Sequence, residues 1–250
     1  MKRMKLFQKN EIAFAVVLIV IYVVGSSVMQ RVSDAVGIEF VAEMIFTAAM
    51  SAVLLLIIRK NRLSAYLGLK KPETAASKML FYIPLILIAS AAAFFGMGME
   101  YSPAVSVLRT VMMICVGFLE EVIFRGFLFR GIAKENLTRA VVISSLTFAI
   151  GHFVNLLNGS DLFGNTIQVI YAVAVGFLMV FIFMRTSSLI ACIVFHALNN
   201  CMTAFATGKI LIDRIGETNA AMIFVGIQLA IAGAYLLYVS KLPKKELPAK

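Results

Sequence analysis

The sequence predicts an all-α, polytopic membrane protein of about eight transmembrane helices, forming a single domain over residues 1–250. Three observations predict it. The chain is 61% hydrophobic and only 14% charged, too little charge to cover the surface of a soluble domain of this size. Apolar runs of about 20 residues, the length needed to cross a hydrocarbon layer roughly 30 Å thick, follow one another with short connections. The lysines and arginines also segregate strongly to one side of those runs.

The runs fall at about 12–30, 38–58, 79–98, 104–124, 139–157, 166–184, 188–206 and 220–240. Lys2, Arg3 and Lys5 before the first run resemble the start of a signal peptide. The run continues to about Val24 without a small-x-small cleavage site, so a retained first helix is expected. The segment from Arg59 to Lys78 is the one substantial connection, with six basic residues against Glu73 alone. Its charge and length suggest a role in substrate docking. Only Arg31, Arg109, Lys209 and Arg214 fall on one side, leaving nineteen of the 23 basic residues on the other. The positive-inside rule then places both termini in the cytoplasm and calls for an even number of crossings in the cell membrane.

The net charge of +10 suits anionic lipid headgroups better than nucleic acid, since no stacking motif or basic groove accompanies it. Cys115, Cys192 and Cys201 lie in apolar runs without metal-type spacing and read as small buried hydrophobes. Glu39 and Glu43, four apart at a helix start, read as interfacial acids favoured by the helix dipole. The methionines read as core filler.

Carboxylates and imidazoles inside apolar runs are costly and mark function. Glu120, Glu121, His152, His196 and Asn200 stand out, and the two histidines are the only ones in the chain. Counting back from Arg130, Arg139 and Arg185 at about 1.5 Å per residue places Glu120, His152 and His196 roughly 15–20 Å deep. Three helices entered from one side thus bring them to comparable depth, as a single site reached from the cytoplasm requires. Helical phase separates the roles. Glu121 and Arg125 are four apart and can pair, whereas Glu120 points elsewhere and is left for chemistry. His196 and Asn200 share a face, as do Phe148 and His152. A shielded Glu beside His152 could activate water, with His196 and Asn200 donating to an oxyanion, as amide hydrolysis requires.

Glu120-Glu121-Val122-Ile123-Phe124-Arg125 fits an EExxxR signature, Phe148 to His152 an FxxxH motif, and His196 to Asn200 an HxxxN motif. In order and spacing these resemble the CAAX-processing and bacteriocin-processing (CPBP, or Abi) intramembrane proteases, across a motif-bearing core of about 104–206. The resemblance implies an eight-helix fold with a cavity open to the cytoplasm, and endoproteolysis by glutamate-activated water without a covalent intermediate. It implies that Glu120 and His152 activate the water and that His196 and Asn200 form the oxyanion site. Glu121, Arg125 and Phe148 would support them. The substrate would be a membrane-associated peptide or a lipidated protein tail.

No cofactor is expected. Glu120, His152 and His196 could supply a two-His, one-carboxylate zinc site, but HExxH is absent, and a metal-free mechanism is favoured. Two other functions compete. One is a non-catalytic scaffold regulating a partner membrane protein, which the intact motifs disfavour. The other is a small transporter, for which no paired repeat or broken helix argues.

Overall fold

The computed structural model describes Phe7 and residues 9–247. Every regular element among them is helical. The helices are α1 Glu11–Val36, α2 Val41–Lys60, α3 Ile83–Phe94, α4 Pro103–Glu120, α5 Arg130–Ala133, α6 Leu137–Gly151, α7 Val154–Leu157, α8 Leu162–Thr186, α9 Ile190–Ala204, α10 Lys209–Ile215 and α11 Glu217–Ser240. A π-helical stretch, Glu121–Phe129, joins α4 to α5 without leaving helical backbone angles, so residues 103–133 form one long helix. Local chemistry sets the boundaries. Asn10, Ser102, Asn136 and Asp161 each accept a backbone N–H of the first turn that follows. Gly37, in the left-handed region, closes α1.

Among the described residues, six helical segments are long and apolar enough to cross a membrane: Glu11–Val36, Val41–Lys60, Ala76–Phe94, Leu137–Leu157, Leu162–Thr186 and Glu217–Ser240. The protein is a multi-pass membrane protein. Its outer surface shows why: Val16, Val17, Val20, Ile21, Val24 and Val28 of α1 are all exposed, a continuous apolar face that suits lipid and not water. The other two predicted runs are also helical but fall outside this set. They are the helix over 103–133, which carries Arg109, Glu120, Glu121, Arg125 and Arg130, and α9, which has 15 residues. These two hold the carboxylate pair and the HxxxN motif.

Two expectations are refined. The run predicted at 79–98 begins later as regular helix, because Leu80, Phe81 and Tyr82 turn through the left-handed region before α3. The run predicted at 139–157 is broken, with α6 ending at Gly151 and His152 standing at its C-cap before the short α7.

At the packed centre, α4 lies between α2 and α9, α6 and α11 both pack on α8, and α3 contacts α9 and α11. Two close approaches set this geometry. A Cβ on Gly117 would lie 2.7 Å from the Ala197 nitrogen, so α4 and α9 meet backbone to backbone there. Gly176 of α8 meets Ser145 of α6 in the same manner, at 3.1 Å from its carbonyl oxygen.

The end of the bundle carrying the basic connections is closed. Phe7, Phe14, Tyr66 and Phe127 stack edge to face with centroids 5.1–6.3 Å apart. Tyr66 donates to Glu11 at 2.6 Å, and Lys134 pairs with Glu11 at 2.7 Å. Burial, reinforced by Glu11, raises the Tyr66 phenol above its ordinary pKa, so it stays a donor. The connection between α2 and α3 folds inward and is tied to the α8–α9 turn. Leu189 N–H donates to the Gly68 carbonyl at 2.8 Å, and the Ser188 hydroxyl to that of Lys70 at 2.6 Å. Leu63, Tyr66 and Leu67 are buried. This part of the connection therefore plugs the bundle. Arg125, Arg130 and Arg185, counted as loop charges from sequence, are buried side chains. Setting them aside leaves sixteen basic residues against four, and the bias stands.

Candidate active site

The two adjacent carboxylates diverge into different surroundings. Glu121 is fully buried, with Oε1 accepting from Arg125 Nη1 at 3.0 Å and from His196 Nδ1 at 2.9 Å. Arg125, equally buried, also donates to the Gly176 carbonyl at 3.4 Å and lies 4.1 Å above the Phe148 ring. Residues four apart share one face of a helix. The Glu121–Arg125 pair is built on that spacing. Removing one member of such a buried pair leaves an uncompensated charge and costs about 3–5 kcal/mol.

Glu120, one residue earlier, keeps 12% of its side chain exposed where Glu121 has none. It faces a cavity of about 420 Å³. Its Oε1 accepts from the Tyr22 hydroxyl at 2.7 Å, and its Oε2 lies 3.4 Å from His196 Nε2. His196 thus bridges the two carboxylates, one at each ring nitrogen. Phe148 packs edge to face against both imidazoles, 5.1 Å from His152 and 5.7 Å from His196.

His152 lines the same cavity. Its Nδ1 lies 3.0 Å from the Phe148 carbonyl. A carbonyl can only accept, so Nδ1 carries the proton, and in the neutral ring Nε2 keeps its lone pair. Asn165 secures the turn by donating to the His152 carbonyl at 2.8 Å. Asn200, one turn beyond His196, also lines the cavity, and its amide makes no hydrogen bond among the described residues. Its neighbour Asn199 is instead buried and accepts from Tyr171 at 2.9 Å.

The structure therefore gathers Glu120, His152, His196 and Asn200 around one cavity, with Glu121, Arg125 and Phe148 behind it. It does not join Glu120 directly to His152. No hydrogen bond links them, and the nearest imidazole to Glu120 is His196. The polar space they share is large enough for water. Among the described residues no three His, Cys, Asp or Glu side chains are grouped as metal ligands. Both ring nitrogens of His196 already face carboxylates. A smaller space, about 250 Å³, reaches His152, His196 and Asn200 from the other side of α9, between α8 and α11.

Sequence reasoning missed Tyr22, Asn165 and Gln168, the last lining the cavity and accepting from Asn155 at 3.0 Å. Each is a polar side chain within an otherwise apolar helix, a signal that could have found them. Glu43 and Glu39, read from sequence as a pair of interfacial acids, stand in different surroundings. Glu43 is buried and accepts from Ser33, while Glu39 is exposed, and neither lines the cavity. The three cysteines are free, with Cys192 buried and the other two half-buried.

Residues 102–202 match the family model described as type II CAAX prenyl endopeptidase Rce1-like. No curated protein and no solved structure matches the chain. The matched segment spans all three motifs and holds Glu120, His152, His196 and Asn200, while the lining residues of α1 and Thr203 and Ala204 at the end of α9 fall outside it. Over this core, and over this core alone, the chain is similar to the CAAX-type (CPBP) proteases.

Proposed function

We propose that the chain is an intramembrane endopeptidase that hydrolyses a peptide bond of a membrane-associated peptide or lipidated protein tail, using water activated by Glu120. The observation that carries the reading is the division between the paired carboxylates. Glu121 is consumed by Arg125 and His196, while Glu120 faces a cavity shared with His152 and Asn200. In this reading a water between Glu120 and His152 attacks the scissile carbonyl carbon and gives up its proton to one of them. The Asn200 amide then donates to the oxyanion. His196 Nε2 does so as well when the ring is doubly protonated, since Nδ1–H is given to Glu121. Collapse breaks the C–N bond, and the proton passes to the leaving amine. No covalent enzyme intermediate and no metal is required.

In the same reading the helices over 103–133 and Ile190–Ala204 cross the membrane with the other six, making eight, and both termini are cytoplasmic. Tyr22 holds Glu120 through its 2.7 Å hydrogen bond.

The test is incubation of the purified protein in liposomes with a library of membrane-associating peptides, with products read by mass spectrometry. Cleavage that persists with a chelator is expected. Cleavage abolished by chelator and restored by zinc would overturn the metal-free step. A folded protein that cleaves nothing, yet restores a partner's function when Glu120 is replaced by Gln, would favour the scaffold instead.

A further inference from the structure

The site's walls run in one direction only. On α4 the cavity is lined by Arg109, Met113, Val116 and Glu120, successive turns of one face descending from the helix start. On α9 it is lined by His196, Asn200 and Thr203, rising toward the helix end. On α1 it runs from Tyr22 to Ser27, away from the amino end, and beyond α6 it continues through Asn155 to Asn158. Every wall therefore leads from Glu120 toward the end of the bundle where the 95–102, 152–161 and 205–208 connections lie. That end holds Arg31, Arg109, Lys209 and Arg214, the minority of the basic residues. None of the basic connections at the opposite end contributes a lining residue. Below Glu120 the cavity ends on Phe124, which forms its floor; Arg125, Phe127 and Leu128 follow, all buried, and beneath them lies the inward-folded 61–75 connection.

We propose that the cavity is entered from the face opposite the basic connections. By the positive-inside rule this is the extracytoplasmic face, so the substrates are peptides or protein segments presented on the outer side of the membrane. This rests on the proposed peptidase reading for its substrate class, and it reverses the cytoplasmic entry expected from sequence. The lining suits a water-filled vestibule: Ser26, Ser27, Asn155, Asn158, Gln168 and Thr203 offer hydroxyl and amide groups along its length. A water-dependent reaction at Glu120 is supplied along this polar path, whereas the basic end is blocked by the aromatic cluster of Phe7, Phe14, Tyr66 and Phe127.

Single cysteines test it without reference to catalysis. In a Cys115→Ala, Cys201→Ala background that retains buried Cys192, one would compare Asn158→Cys at the mouth, Val116→Cys midway to Glu120, and Lys71→Cys on the basic connection. A membrane-impermeant maleimide is added to right-side-out and to inverted vesicles. Asn158→Cys and Val116→Cys should label at least tenfold faster in right-side-out vesicles, and Lys71→Cys at least tenfold faster in inverted ones. Labelling of Val116→Cys from inverted vesicles alone would overturn the proposal. So would labelling of Lys71→Cys from the same side as Asn158→Cys. Because labelling needs no turnover, outward labelling without peptide cleavage would refute the peptidase reading and leave the access route standing. Cleavage with inward labelling would do the reverse.

Discussion

At the residue scale the account turns on two neighbouring glutamates with opposite duties. Glu121 is the structural one, and Glu121→Gln should destabilise the protein by about 3–5 kcal/mol, because Arg125 is left buried without its countercharge. Thermal unfolding in detergent checks this. A companion Glu121→Gln, Arg125→Met double variant should lose less than the sum of the two single losses. Tyr22 tests the other glutamate. Hydrogen bonds to charged groups are worth about 1.5–3 kcal/mol, so Tyr22→Phe should lower turnover about 10- to 100-fold while leaving the unfolding temperature within a few degrees. An unchanged rate would remove Tyr22 from the site. The i,i+4 spacing made the Glu121–Arg125 pair legible in the sequence, and the same spacing set His196 above Asn200. The partners of Glu120 were not legible. Tyr22 is 98 residues away, and its contact depends on how α1 packs, which no local pattern encodes.

At the scale of elements, the site depends on how closely α4 and α9 approach. Gly117 lies one turn before Glu120, and a side chain there would strike the Ala197 backbone, which cannot yield as a flexible side chain would. Gly117→Val should therefore push α9 outward, lower stability by about 1–3 kcal/mol and reduce turnover more than tenfold by separating His196 from Glu120. Parallel unfolding and rate measurements on that variant check both. Gly68 is a second such point. It has φ +76°, and a Cβ would lie 2.5 Å from the Phe183 ring, so Gly68→Ala should loosen the plug and lower the unfolding temperature. Helix positions were readable from apolar run length alone. The break at His152 and the π-helical stretch were not, because both follow from tertiary hydrogen bonds. Asn165 holds the His152 carbonyl, and the Phe124 carbonyl accepts from Ser144 at 2.9 Å.

At the scale of the whole molecule, the membrane environment was the most legible property of the chain, since lipid demands long uncharged runs and basic flanks. The side on which the cavity opens was not legible. Counting residues from the basic ends gives depth, and depth is nearly the same measured from either face of a bilayer. Only the three-dimensional placement of Arg109, Asn158 and Thr203 around one vestibule indicates a direction. The central claim is nevertheless chemical: Glu120 activates water for peptide hydrolysis. It is tested most directly by the turnover of Glu120→Gln against wild type on one cleavable membrane peptide, with unfolding monitored in the same samples. The account predicts a loss of at least about a hundredfold, the scale of general-base catalysis, with the unfolding temperature preserved. A Glu120→Gln protein that keeps wild-type turnover would contradict it.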